Sequence, residues 1–214
     1  MLKDVRAIVF DLDGTLVDSI ADIVAHLNAA LVDHGLAARD IADIGEWVGY
    51  GAEQLVVRAV PREDLVTPVL ATFRARYRAR PVIDTRVYEG LAAVLDKLAA
   101  RYPLAVLSNK PHELTAEVCG ALLSRWPFKV IHGQRADRPR KPDPAALLAV
   151  AAEHGIEASD CVLVGDSEVD VATARAAGAP SIGVSWGLRP LDVLGEARPD
   201  YLVHTPRELD SLLE

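Results

Sequence analysis

Only two cysteines, Cys119 and Cys161, occur in 214 residues, and neither sits at a metal-ligand spacing from another cysteine or a histidine. A disulfide scaffold and a zinc knot are thereby excluded, and the two thiols read as packed residues in a reducing compartment. No stretch approaches the roughly 18 uninterrupted apolar residues of a spanning helix. Basic charge is scarce, 23 Lys and Arg against 31 Asp and Glu for a net charge of −8, so nothing resembles a basic stripe for nucleic acid. An anionic substrate must therefore be held by a local site. Internal repeats, low-complexity tracts and heptads are lacking too. The first apolar run ends directly on Asp11 and Asp13, which fits neither a secretory signal nor a transit peptide, and a soluble cytoplasmic protein is the expectation.

What is present is ordinary globular composition, 50% apolar and 25% charged. A chain of this size buries roughly 70% of its unfolded surface, so its core needs no covalent or metal staple. Short apolar, β-branched runs at 6–10, 104–107, 130–131, 161–164, 181–184 and 201–203 show little polar alternation, as expected of strands covered on both faces. Helical patterns separate them. Asp143 and Pro144 open one that stops at Gly155, a second runs from Glu168 to Gly178, and a third spans 91–100. This is an α/β, doubly wound, Rossmann-like parallel sheet. Between the first strand and Leu91, about seventy residues pass with helical periodicity and no strand, Ile20, Ile23, Val24, Leu27 and Leu31 forming one face and Leu65, Val69, Phe73 and Tyr77 another. A connection that long reads as an all-helical insertion and lid, with a core of 1–16 and 86–214 and a cap of 17–85.

Four polar clusters follow strands or open helices: DLDGTLVDS at Asp11, SNKP at Ser108, RKPDP around Lys141 and GDSEVD at Asp166. The carboxyl ends of strands in an open α/β sheet line one crevice, so these clusters are expected to converge. Asp11, Asp13, Asp166 and Asp170 would crowd it, and two carboxylates ~4 Å apart repel by about 4 kcal/mol at an effective dielectric of 20. A bound cation relieves this, and all-oxygen ligation favours Mg²⁺. The alternative is that each acid caps a turn or helix, a reading that stays open for Asp18 and Asp22. The Ser108 and Thr15 hydroxyls, the Asn109 backbone N–H and Lys141 make a phosphate-sized anion site. Asp11 can then attack phosphorus, with Asp13 as acid and base.

These four motifs together resemble the haloacid dehalogenase superfamily in its Mg²⁺-dependent phosphatase branch. The resemblance implies that Asp11 is the nucleophile and Asp13 the acid/base. It further implies Mg²⁺ on the Asp11 carboxylate, the Asp13 backbone carbonyl and Asp166, with Asp170 as a ligand or just outside the ligand set. Thr15, Ser108, Asn109 and Lys141 fall to the phosphate. Asp13 argues against carbon–halogen chemistry, because dehalogenase members lack that residue. The insertion, with EWVGYGAEQLV, and the SNKP and GVSWG segments are similar to phosphoglycolate phosphatases, which implies a small phosphorylated metabolite, 2-phosphoglycolate first. Two positions depart from that subfamily: Ser108 stands where Thr is common, and YEGL at Tyr88 lacks a Pro before its Gly. Gly49 and Gly51 could let backbone amides approach a substrate carboxylate, with Arg58 a weaker candidate, or could simply form a turn and helix start. Trp47 and Trp186 are candidates to wall the crevice. The six histidines share no spacing and read as surface or packing residues. A sugar phosphomutase or a pyrophosphatase would use the same site, and a non-catalytic interaction module would be expected to have lost one of these charged residues.

Overall fold

The computed structural model describes residues 5–214, so the first four residues of the expected core lie outside the described residues. In chain order the elements are β1 (Ala7–Phe10), β2 (Val17–Asp18), α1 (Ile20–Asp33), α2 (Ile41–Trp47), α3 (Ala52–Ala59), α4 (Glu63–Ala79), β3 (Arg86–Val87), α5 (Leu91–Arg101), β4 (Leu104–Pro111) and α6 (His112–Leu122). They continue with β5 (Phe128–Gln134), α7 (Ala145–His154), β6 (Cys161–Gly165), α8 (Glu168–Ala177), β7 (Ser181–Val184), α9 (Leu191–Glu196), β8 (Tyr201–Val203) and α10 (Pro206–Leu213). Six strands form one parallel sheet in the order β5-β4-β1-β6-β7-β8.

Alternation within β1 explains its double burial. Ile8 and Phe10 enter a cluster with Leu95, Leu98, Val118 and Leu209, whereas Ala7 and Val9 face Leu147, Val150, Ala151 and Ala174. Helices α5, α6 and α10 therefore cover one face, and α7 and α8 the other. The chain winds outward from β1 in both directions, which makes the end of β1 the switch point of the sheet. Phe10 is in register with both Val106 and Val164, so Asp11, Ser108 and Asp166 all emerge at one edge.

Helix α7 starts one residue later than expected: Pro144 precedes it, and the Asp143 side chain accepts from the Ala145 N–H at 2.9 Å. Its other end is as read, on Gly155 in the left-handed region. Helices α1 to α4 enclose a cluster of their own, with Leu27, Leu31, Val56, Val69 and Phe73, sealed onto the core by Leu114 of α6. The stretch read as free of strand holds one exception. β2 and β3 pair antiparallel, Val17 opposite Val87, as a two-residue ribbon through which both connections to the insertion pass.

Asp22 secures that junction. Its buried carboxylate accepts from the Ile83, Asp84 and Thr85 N–H groups at 2.9, 2.9 and 3.0 Å and from the Thr85 hydroxyl at 2.5 Å. Burial pushes its pKa up, but these four donors outweigh burial and hold it below the ordinary carboxylate range. Asp22 is thus structural. Asp22→Asn should cost about 2–4 kcal/mol in urea unfolding at neutral pH, because an amide turns a donor toward backbone N–H groups. A lowered folded pKa gives stability that is present above the unfolded value of about 3.9 and is lost as pH falls through the folded one. The gap between wild type and variant should accordingly narrow in acid; a pH-independent gap would contradict this role.

Candidate active site

Asp11 follows β1 with 4% of its surface exposed, and its Oδ1 accepts from the Leu12 N–H at 2.7 Å. Oxygens of Asp11, Asp166 and Asp170 lie within 4.8 Å of one another. Lys141 stands among them, its Nζ 3.0 Å from Asp11 Oδ1 and 2.6 Å from Asp170 Oδ1, with a third bond to the Leu107 carbonyl at 3.0 Å. The Asp166 oxygens accept from the Leu188 N–H at 2.8 Å and from the Thr15 hydroxyl at 3.3 Å. Gly14, at φ +86°, makes this approach possible: a Cβ there would lie 2.3 Å from Asp166 Oδ2. The Trp186 indole packs against the core and donates to the Thr15 carbonyl at 3.1 Å. Trp47 instead packs inside the insertion.

The electrostatics follow from burial. Desolvation raises Asp11 to about 8 even against the pull of Lys141, and Asp170 and Asp166 push the same way. Desolvation, then Asp170, raises Asp166 to about 6 despite the Leu188 N–H. Burial acts to lower Lys141, but Asp11 and Asp170 outweigh it and keep it above the ordinary lysine range. Three carboxylates with one ammonium are left short of positive charge, and an all-oxygen donor set suits a hard divalent ion.

Asp170 serves two purposes. Its Oδ2 accepts from the Ser167 N–H and hydroxyl at 3.2 and 2.6 Å as the capping box of α8, while Oδ1 faces Lys141. One carboxylate thus closes the capping box and faces Lys141 at once.

The remaining expected residues line two adjoining spaces, and Gly51 and Asn109 border both. Asp11, Asp13, Ser108, Asn109, Gly49 and Gly51 line a cavity of about 50 Å³ between core and insertion. At about 10–15 Å³ per water, that is room for roughly four waters or a very small ester. Asn109 acts through its side chain more than expected: Oδ1 accepts from the Lys141 N–H at 2.8 Å, and Nδ2 donates to the carbonyls of Lys141 and Gly49 at 2.9 and 2.8 Å. Gly51, at φ +87°, begins α3 and also allows contact, since a Cβ would meet the Asn109 carbonyl at 3.2 Å. Arg58 lies elsewhere. It lines an outer cleft of about 1250 Å³ and sits over the Tyr50 ring at 4.5 Å. Arg74 of α4, one helix on, borders both spaces.

Two residues of the site escaped the sequence reading. Lys110 Nζ lies 3.0 and 3.1 Å from the Asp13 oxygens and 2.7 Å from the Tyr77 hydroxyl of α4. Its place in SNKP was the available signal. Arg189 joins core to insertion, donating to the carbonyls of Glu46 and, at 2.8 Å, Val48, and pairing with Glu168 at 2.7 Å. Tyr50 reaches the same Glu168. A lone arginine after GVSWG carries no pattern that would have singled it out.

Comparison with known proteins agrees with this geometry. The family model of the haloacid dehalogenase-like hydrolases matches residues 5–178. Phosphoglycolate phosphatase of Rhodospirillum rubrum is 39% identical over 193 residues, covering 85% of this chain and 80% of that one. The phosphoglycolate phosphatase of Xanthomonas campestris pv. campestris is 34% identical over 212 residues, covering 95% and 94%. Among solved structures, a predicted phosphoglycolate phosphatase from Haemophilus somnus 129PT superposes with a TM-score of 0.92 at 27% identity over the whole of both chains. One from Lactobacillus delbrueckii subsp. bulgaricus gives 0.91 at 27% over 98% of each. The chain belongs to the haloacid dehalogenase-like hydrolases, in the branch of the phosphatases.

Proposed function

We propose that this phosphatase is a Mg²⁺-dependent phosphomonoesterase acting through an aspartyl-phosphate on Asp11, with 2-phosphoglycolate as its substrate. The observation that carries the reading is the meeting of Asp11, Asp166, Asp170 and Lys141 at the switch point of the sheet, beside Asp13 and a cavity of about 50 Å³. The four helices act as a cap over it.

Asp11 attacks phosphorus through a carboxylate oxygen, and the bond from phosphorus to the leaving oxygen breaks as that oxygen takes a proton from Asp13. Asp13 then removes a proton from water, whose oxygen attacks phosphorus, releasing phosphate and regenerating the Asp11 carboxylate. Lys141 keeps a positive charge against the transferring group, and the hydroxyl of Ser108, which lines the cavity, is at hand for its oxygens, whereas that of Thr15 is engaged by Asp166. Mg²⁺, held by Asp11, Asp166, the Asp13 carbonyl and an adjoining Asp170, would neutralise charge on the phosphoryl group. Arg74 supports the substrate choice. It borders the inner cavity and has no hydrogen-bond or ion-pair partner among the described residues, so its guanidinium is available to a carboxylate. The backbone at Gly49 and Gly51 lies alongside, whereas Arg58 faces the outer cleft.

A panel of 2-phosphoglycolate, sugar phosphates, nucleotides and pyrophosphate, compared by kcat/KM with Mg²⁺, tests this. The cavity size leads us to expect 2-phosphoglycolate to lead by about tenfold or more. A flat profile, or a lead by a hexose phosphate, would overturn the substrate while leaving the chemistry.

A further inference from the structure

Lys110 is a buried cation with no part in the steps above. Its side chain is 4% exposed, that of Asp13 11%, and Tyr77 3%. Removing an ion pair from water costs several kcal/mol per ion, and apolar replacements are often as stable or more so, so stability alone is a weak reason for such a pair. The pair is also built rather than incidental. The Lys110 N–H donates to the Ser108 hydroxyl at 3.3 Å and its carbonyl accepts from the Thr115 hydroxyl at 3.1 Å, which fixes the backbone from which the side chain extends. The other end is fixed by the Tyr77 hydroxyl, on a helix of the insertion.

The two Asp13 oxygens are treated differently. Oδ1 accepts from the Ser19 hydroxyl at 2.7 Å and from Lys110 at 3.0 Å, whereas Oδ2 has, among the described residues, Lys110 alone, at 3.1 Å. A protonated Asp13 can keep both donors on Oδ1 while carrying its proton on Oδ2. We propose that Lys110, tethered to the helical insertion through Tyr77, is a positioning residue that aims Oδ2 of Asp13 at the leaving oxygen. Protonation of a poor leaving group thereby depends on the insertion being seated. The inference rests on the phosphatase mechanism proposed above. As the bond from phosphorus to the leaving oxygen breaks, its electron pair stays on that oxygen, the Oδ2 proton joins it, and the carboxylate left behind forms against the Lys110 ammonium. Without Lys110, only Ser19, among the described residues, hydrogen-bonds the side chain.

The test separates aim from mere stability. Phenyl phosphate and 4-nitrophenyl phosphate both lack a carboxylate and differ only by the para-nitro group, whose bulk cancels when a variant is compared with wild type, but nitrophenolate departs without a proton and phenolate gains from one. Their kcat/KM values report only the steps up to alcohol departure, so the role of Asp13 toward water drops out. General acid catalysis contributes about 10²–10⁴-fold, and its partial loss in Lys110→Met should widen the nitrophenyl-to-phenyl ratio by at least about tenfold over wild type. Tyr77→Phe, which removes only a hydroxyl, should widen it in the same direction by less, with an unchanged melting temperature. A ratio unchanged in Lys110→Met would make the residue structural and overturn the proposal. A ratio widened in Lys110→Met but not in Tyr77→Phe would overturn the tether. If Lys110→Met does not fold, Tyr77→Phe decides, an unchanged ratio counting against the proposal. Absence of any phosphate ester hydrolysis by the wild-type protein with Mg²⁺ would remove the parent mechanism, and this inference with it.

Discussion

Asp11→Asn should abolish turnover, lowering kcat by at least about four orders of magnitude, while the protein stays folded. The nucleophile is the group whose loss cannot be shared out among its neighbours, and nucleophile deletions in other hydrolases cost about 10⁶. An amide nitrogen or a neutral amide oxygen cannot form the acyl phosphate. The fold has little reason to suffer. Asparagine keeps an oxygen for the Leu12 N–H, and Lys141 keeps Asp170 at 2.6 Å. Burial and the neighbouring acids already penalise ionised Asp11, raising it to about 8, so a neutral side chain should leave the melting temperature unchanged or higher. Retention of activity within tenfold of wild type, measured on the preferred ester, would exclude Asp11 as nucleophile.

Removal of divalent metal should be nearly as severe, with EDTA taking hydrolysis down by about 10³-fold or more and Mg²⁺ restoring it. Binding can also be read without turnover. A carboxyl whose folded pKa is raised takes up protons on folding, so the metal-free fold loses stability as pH climbs from the ordinary aspartate range toward about 8 for Asp11 and about 6 for Asp166. Mg²⁺ would require those carboxylates ionised and would bind the folded form, so its effect on melting should be larger at pH 8 than at pH 5. Asp166→Asn should weaken the rise at both. A melting temperature insensitive to Mg²⁺ at pH 8 would contradict a metal site at these residues.

The sheet and the chemistry-bearing edge were legible because both rest on local pattern. Doubly covered strands such as AIVF and VLV read as unbroken apolar runs, and the Asp and Ser motifs sit at their ends, where register then brings them together, while the Lys motif leads into α7. What escaped has specific physical causes. A ribbon of two residues per strand is too short for alternation to show, so β2 and β3 disappear into their surroundings. Lys110 reads as a surface lysine until Asp13 and Tyr77, 97 and 33 positions away, are seen to enclose its ammonium. Arg58 and Arg74 are indistinguishable as charges in sequence, and only the packing of α3 against α4 decides which one borders the inner cavity. Asp22 lies in the first turn of α1, where a capping role and a site role look alike; its four donors come from the far end of the insertion.

Asp11, Asp166, Asp170 and Lys141 converge from three separate stretches of chain, and that convergence is what supports the task proposed for the first of them. Rapid acid quench of the enzyme during turnover of ³²P-labelled 2-phosphoglycolate, followed by peptide mapping, reads that task from the protein itself. We expect acid-stable, alkali-labile label on the peptide carrying Asp11, and none in Asp11→Asn. Turnover with no label on the protein, or label on any other residue, would contradict the mechanism.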